Sequence, residues 1–289
     1  MNLLAASRRV LACAFLLAAS ATLPAEPAAT REGLRVMSFN IRYAAPQDGA
    51  NLWAHRRDLW AKTVLARHPD IIGTQELLLS QAADIQQRLP GYAWFGKGRN
   101  GNELDKDGNE HMGVFYDTKR LKLIEHGDFW YSETPDVPGS PNFDQSLPRM
   151  ATWAQFEERS SGKRFYFFDT HFPHRDEAEA VRERCARILL ERIARLPKDV
   201  PVVVTGDFNS SPDTAAHRLL TTQLHDAWES ASERVGPEKT VHAFTGVPTQ
   251  RIDWILSRGF RTGRVETADD HQGEVFPSDH YPVIADLHW

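Results

Sequence analysis

Thr205-Gly206-Asp207-Phe208-Asn209-Ser210 places an aspartate and an asparagine two positions apart, directly after the apolar run Val202-Val203-Val204. That run reads as a buried strand. Side chains two apart on a strand face the same way, so the Asp207 carboxylate and the Asn209 amide are expected side by side at its end. Gly206 lets the backbone turn closely, and Ser210-Ser211-Pro212-Asp213 ends the strand. Such a pair can hold and polarise a water beside a metal-bound phosphate, although the same residues would also build a plain Asx turn. Other strand ends carry similar groups. Asn40 closes Arg35-Val36-Met37-Ser38-Phe39, and Glu76 follows Ile71-Ile72-Gly73-Thr74-Gln75, just past a strand and before a helix. His171 ends Phe165-Tyr166-Phe167-Phe168-Asp169-Thr170, Asp253 sits in Arg251-Ile252-Asp253-Trp254-Ile255-Leu256, and Asp279-His280 precedes the last strand. A buried strand needs no charge at its end, where unpaired burial is costly. Several such ends meeting at one rim form the pattern of a metal-dependent site.

Positioning them requires rigid strands. Apolar runs and alternation predict strands over 34–41, 70–73, 92–95, 112–116, 121–130, 151–156, 164–170, 201–205, 251–256, 263–267 and 282–287. Helical spacing predicts helices over 56–67, 78–88, 177–196 and 214–220. Ser160-Ser161-Gly162-Lys163 reads as a hairpin turn. With no linker, repeat or low-complexity segment, residues 34–289 are expected to form one α/β domain, two packed sheets with helices outside. Two polar loops stand out, 99–111 and 132–148. Asp105, Asp107 and Asn109 only faintly resemble a calcium loop, because Gly108 falls too early and no glutamate closes the frame.

Leu34-Arg35-Val36-Met37-Ser38-Phe39-Asn40, Gly73-Thr74-Gln75-Glu76, Asp169-Thr170-His171, Gly206-Asp207-Phe208-Asn209, Arg251-Ile252-Asp253 and Ser278-Asp279-His280 occur in that order. Together they resemble the endonuclease/exonuclease/phosphatase superfamily, which has a DNase I-like fold, from about residue 34 to the last. The resemblance implies a four-layer α/β sandwich, two mixed β-sheets packed face to face with helices on the outside. It implies that Glu76 is the principal metal ligand, with Asn40 and Asp279 near the metal, and that the ion is Mg²⁺, with Mn²⁺ as a substitute. It assigns Asp207 to orienting or deprotonating the attacking water, with Asn209 beside it. His280 and His171 would face the phosphate, and Asp253 would support His280. Arg149 falls where nuclease members carry a phosphate-contacting arginine, and His174, in Thr170-His171-Phe172-Pro173-His174-Arg175-Asp176, is a further candidate for substrate contact. The expected activity is metal-assisted hydrolysis of a phosphate monoester or diester. A nuclease, or an inactive binding module on the same fold, remains the alternative.

Composition narrows the setting. Arg8-Arg9, the apolar stretch 10–19, and small residues near 21 and 25 read as a signal peptide over 1–25, and hence as a periplasmic or secreted protein with no stable membrane span. Removing it would take the net charge from −5 to about −7, short of the basic footprint usual for duplex nucleic acid. A small or lipid-linked phosphorylated substrate is therefore favoured, and a monomer is expected. A membrane-acting diesterase would need an exposed apolar hairpin, for which Asp128-Phe129-Trp130-Tyr131 is the candidate. Cys185 would be the one cysteine left, and its helical face predicts a buried apolar role rather than a nucleophile.

Overall fold

The computed structural model describes residues 32–102, 109–143 and 147–289. The leader over 1–25, and Asp105, Asp107 and Gly108 of the faint calcium loop, lie outside the described residues. In chain order, β1 (Leu34–Asn40), α1 (Trp53–Arg67), β2 (Ile71–Leu77), α2 (Leu79–Arg88), β3 (Tyr92–Phe95) and β4 (His111–Asp117) come first. Then come β5 (Leu121–Trp130), β6 (Met150–Glu158), β7 (Arg164–His171), α3 (Glu179–Ala194), β8 (Val202–Asp207) and α4 (Ala215–Leu220). The chain finishes with β9 (His225–Asp226), α5 (Ala227–Ser230), β10 (Glu233–Val235), β11 (Asp253–Arg258), β12 (Arg261–Thr267) and β13 (Val283–His288). A seven-stranded sheet has the order β10-β12-β13-β1-β2-β4-β3, and a six-stranded sheet the order β5-β6-β7-β8-β11-β9. Both mix parallel and antiparallel neighbours.

Period-two alternation sorts the side chains into layers. Val36, Ile71 and Val114 of one sheet and Phe165, Phe167, Val203 and Ile255 of the other share a single buried cluster between the sheets. Their strand neighbours point outward. Met37, Phe39 and Ile72 pack with Trp60 and Val64 of α1 and Ile85 of α2, while Phe168, Val202, Val204 and Trp254 pack with Cys185 and Leu189 of α3 and Leu220 of α4. Helices, sheet, sheet and helices give the four-layer sandwich. Cys185 is a buried wall atom of the outer cluster, and burial pushes its thiol up to about 12. Phe129, Trp130 and Tyr131 are 2% exposed or less, which overturns them as a membrane-facing hairpin: their strand lies in a sheet rather than projecting from it.

Along the interior, the side chains change from apolar to polar toward one end. Beyond the Val36, Ile71, Phe167 and Val203 level, the paired positions Ser38 and Gly73 face Asp169 and Thr205. Gln75 Nε2 and Thr205 Oγ1 both donate to Asp169 Oδ1 at 2.7 Å, and burial pushes that carboxyl up to about 8. Gly73 is required here because a Cβ would overlap Thr205 Oγ1 and Asp169 Oδ1.

Most elements fall where the sequence predicts them. The exceptions are short: β9, α5 and β10 have two to four residues and carry no readable period. They are held by specific bonds instead. Asp226 accepts from Trp228 N at 2.8 Å to start α5, and its other oxygen receives Arg251 at 2.7 Å and His217 at 3.0 Å. The Ser160-Ser161-Gly162-Lys163 turn forms, with Gly162 at φ 71 and the Glu158 carboxylate accepting from the backbone of Ser160 and Ser161. Replacing Gly73 with Ala should force the sheets apart and cost about 1–3 kcal/mol, the range for overpacking a tight interior, read as a lower urea midpoint at unchanged m-value.

Candidate active site

Strand register sets the floor of the site. Asp207 pairs with His171 across the parallel β7–β8 ladder and with Asp253 across the antiparallel β8–β11 ladder, so three polar side chains stand abreast on the inner face. Asn40, paired with Gln75 on the other sheet, reaches across. Its amide donates to Asp207 Oδ2 at 2.9 Å and to Glu76 Oε1 at 3.2 Å. His280 enters from the segment before β13, with Nδ1 at 2.8 Å from Asp253 Oδ2. That segment is tied to β1 by the Ser278 hydroxyl, which donates to Asn40 O at 2.6 Å. The two histidines then flank one carboxylate oxygen: His171 Nε2 lies 3.5 Å and His280 Nε2 4.0 Å from Asp207 Oδ2.

Two expectations about local geometry change. Glu76 lies inside β2 rather than past its end, because the strand continues to Leu77 through a register shift after Thr74. Its φ of 61 is the bend that turns the carboxylate inward, and Tyr43 N donates to Oε2 at 3.2 Å. Asn209 is not aligned with Asp207 by strand pleat. β8 ends at Asp207, and Asn209, at φ 48, is placed by an Asx turn in which its N–H donates to Asp207 Oδ1 at 2.9 Å. Its side chain donates to Phe172 O at 3.1 Å. Turn and site are the same structure.

The result is a cleft of about 560 Å³. Glu76, His171, His174, Arg149, Asp207, Asn209 and His280 line it. Asn40 and Asp253 lie buried behind the lining, and Asp279 sits at the rim, 3.9 Å from Arg42 Nε. Arg42, Tyr43, Arg99, Glu110 and, from the proline-rich loop 132–148, Leu147 complete the walls; the first four were not anticipated. Arg42 follows Asn40 by two positions, and Glu110 precedes the strand run 112–116; a polar group at the start of a strand was a signal as readable as one at its end. Arg56 was also missed. Fully buried in α1, it donates to the carbonyls of Ile41 and Arg42 at 2.6 Å, Asn51 at 2.8 Å and Pro277 at 3.0 Å, binding the loop after β1 to the segment before β13.

Electrostatics divides the groups into roles. Burial and then Asp253 push the Asp207 carboxyl up to about 7, with His280 pulling the other way. Burial opposes a charge on His280, but the charge and hydrogen bond of Asp253 outweigh it and hold the ring well above its ordinary value. His171 is held well below by burial and then by Arg149. His280 is thus the charged ring and His171 the neutral one. Arg149 is buried, shares NH2 with His174 Nδ1 at 3.1 Å, and leaves NH1 without a partner among the described residues.

Two places suit a cation. Asp207, Asp253 and His280 bring one ligand atom each within 4.8 Å of one another, but the His280–Asp253 bond already occupies that set. The rim fits a hard divalent ion better. Asp279 is raised by burial and by the nearby Glu76 charge, and Arg42 stands 3.9 Å from both carboxylates, too far to satisfy either. Oxygen donors with excess negative charge are what such an ion binds. A further cluster, His217, Asp226 and Glu229, is filled by the guanidinium of Arg251.

The Endonuclease/Exonuclease/phosphatase family pattern matches residues 37–280. A mannosyl-6-phosphatase of Bacteroides thetaiotaomicron superposes with a TM-score of 0.82 at 34% identity, covering 89% of this chain and all 100% of that one. An endonuclease/exonuclease/phosphatase of Bacteroides vulgatus gives 0.82 at 32% identity, covering 89% and 99%. Among sequence relatives, the Candida albicans CCR4-Not complex 3′-5′-exoribonuclease subunit Ccr4 is 24% identical over 88% of this chain and 41% of its own length. The chain spans between 41% and 59% of the first curated relatives it matches.

In the metal-free protein, the His280 ring should stay protonated through neutral pH and Asp253→Asn should lower its pKa, because the neighbouring negative charge is removed. An NMR titration of the His280 ring protons in both proteins measures this.

Proposed function

Because the chain belongs to the endonuclease/exonuclease/phosphatase family over residues 37–280, we propose that it hydrolyses a small phosphate monoester, a hexose phosphate in the first instance, with a bound divalent cation. The reading is carried by one observation: Asp207 sits between His171 Nε2 at 3.5 Å and His280 Nε2 at 4.0 Å on the floor of a cleft with a carboxylate rim. The cleft volume of about 560 Å³ falls within the range of about 300–1,000 Å³ for small-molecule sites. The resemblance to a mannosyl-6-phosphatase supports a phosphorylated sugar. The formal charge of −5 supports a small substrate over a polynucleotide.

Mg²⁺, or Mn²⁺ in its place, would be held by Glu76 with Asn40 and Asp279 beside it, and when bound it supplies positive charge to the phosphate and leaving oxygens. The chain does the rest by positioning and electrostatics, most of the task in phosphoryl transfer. Asp207, fixed by Asn40 at Oδ2 and by the Asn209 N–H at Oδ1, orients the attacking water and takes its proton. Charged His280, steadied by Asp253, donates from Nε2 to a phosphate oxygen, and Arg149, whose NH1 has no partner among the described residues, donates to another. Neutral His171 and His174 complete the phosphate cradle.

The chain is further proposed to be exported. In the native host, the mature protein should be recovered from the periplasm or medium with an N-terminus near residue 22 or 26, as read by mass spectrometry.

The activity test uses mature protein with Mg²⁺ against hexose phosphates, inositol phosphates, sphingomyelin, plasmid DNA and an RNA 3′ end. Phosphate release from hexose phosphates, abolished by EDTA and lowered about 10²–10⁴-fold in Asp207→Asn and Glu76→Ala, is the expected outcome. Turnover only of RNA or DNA would favour the nuclease reading, and inertness with every substrate the binding module.

A further inference from the structure

Among the described residues, Glu110 is a carboxylate of the cleft to which phosphate handling assigns no task. It lies on the cleft wall with Arg99 and Arg149, and a dianionic substrate gains nothing from another carboxylate there. It is nonetheless built in firmly. Arg99 NH1 donates to Glu110 Oε2 at 2.7 Å, with both side chains at most 10% exposed.

The backbone beneath the pair is also fixed. Arg99 N donates to Glu110 O at 2.9 Å, and Trp130 Nε1 donates to Arg99 O at 2.6 Å. Asn100 N donates to Asn109 Oδ1 at 2.9 Å, and Gly98 bridges His111. Two side chains on a paired, pinned neck meet a ligand without reordering, which spares affinity the cost of organising them.

We propose that Arg99 and Glu110 form a hydroxyl-reading subsite that takes the polyhydroxylated leaving group of a sugar phosphate. This rests on the phosphatase reading above. A carboxylate accepts from hydroxyl groups and a guanidinium donates to hydroxyl oxygens, so the pair can engage adjacent hydroxyls of one sugar ring. Burial, then Glu76, pushes the Glu110 carboxyl up to about 7, while Arg99 favours its charge. Hydroxyl donors would favour that charge further. A leaving group without hydroxyls would leave the pair's polar atoms desolvated and unmatched, which is how a polar site rejects an analogue.

The test compares mannose 6-phosphate with p-nitrophenyl phosphate in the Mg²⁺-loaded full protein and in Glu110→Gln. The expected result is a fall of about 10–100-fold in kcat/KM on the sugar phosphate, mostly in KM, and a fall at least tenfold smaller on the aryl ester. Equal falls on both esters, or none, overturn the subsite and leave the pair a structural ion pair. Wild-type protein that cleaves the aryl ester but no hexose phosphate overturns the sugar reading itself, and the subsite with it. Should Glu110→Gln fail to fold by thermal melting, Arg99→Lys is read by the same ratio, with the same outcomes deciding.

Discussion

The site depends on the register of the strands across the sandwich interior. Side chains at alternate positions of β1, β2, β7, β8 and β11 share the space between the sheets, and their chemistry changes with height. Val36, Phe167 and Val203 exclude water from the middle. One step along stand Ser38, Asp169 and Thr205, and one step further Asn40, His171, Asp207 and Asp253. A slip of one residue in any pairing would reverse every side chain on that strand. It would carry Asp207 to the helix side and Phe208 into the site. The same hydrogen-bond ladder that holds the core therefore holds His171, Asp207 and Asp253 side by side, within the tolerance of a paired backbone rather than that of a loop.

Electrostatics builds on that placement. Asp207 and Asp253 are neighbours on adjacent strands, and each alone would be an expensive buried charge. His280 relieves the pressure by bonding to Asp253 at 2.8 Å. Asp207 is left with two neutral donors, the Asn40 amide and the Asn209 N–H, and with a carboxyl raised to about 7. Two carboxylates of the same chemistry are left in different settings by their surroundings, one bonded to a ring and one with its carboxyl raised. Burial raises the Asp169 carboxyl beneath to about 8, which favours its neutral form and keeps a third charge out of this balance.

What the sequence disclosed follows from which signals are local. β3 and β5 are read to the residue because an apolar or alternating run has turn residues at both ends. The polar ends of β1, β7 and β8 were legible for the same reason, a polar group after an apolar run, and Asp253 as a charge opening the apolar run of β11. Asp253–His280 was readable as a pair only through the family likeness, since 27 residues separate them. What stayed hidden was conformation and long-range contact. Nothing in Thr74-Gln75-Glu76-Leu77 announces a bulge with Glu76 at φ 61. Arg56 sits in a basic helix and looked like any solvated arginine. Arg99 and Glu110 flank a loop whose ends meet only after β3 and β4 pair.

Arg56 grips main-chain oxygens at Ile41, Arg42, Asn51 and Pro277, and no side chain of the mouth. Its hold is blind to residue type. The groups displayed at positions 42 and 43 on the cleft wall can therefore be exchanged while the scaffold beneath them stays anchored. Main-chain anchoring thereby separates the path of the backbone around the mouth from the identity of the side chains that line it.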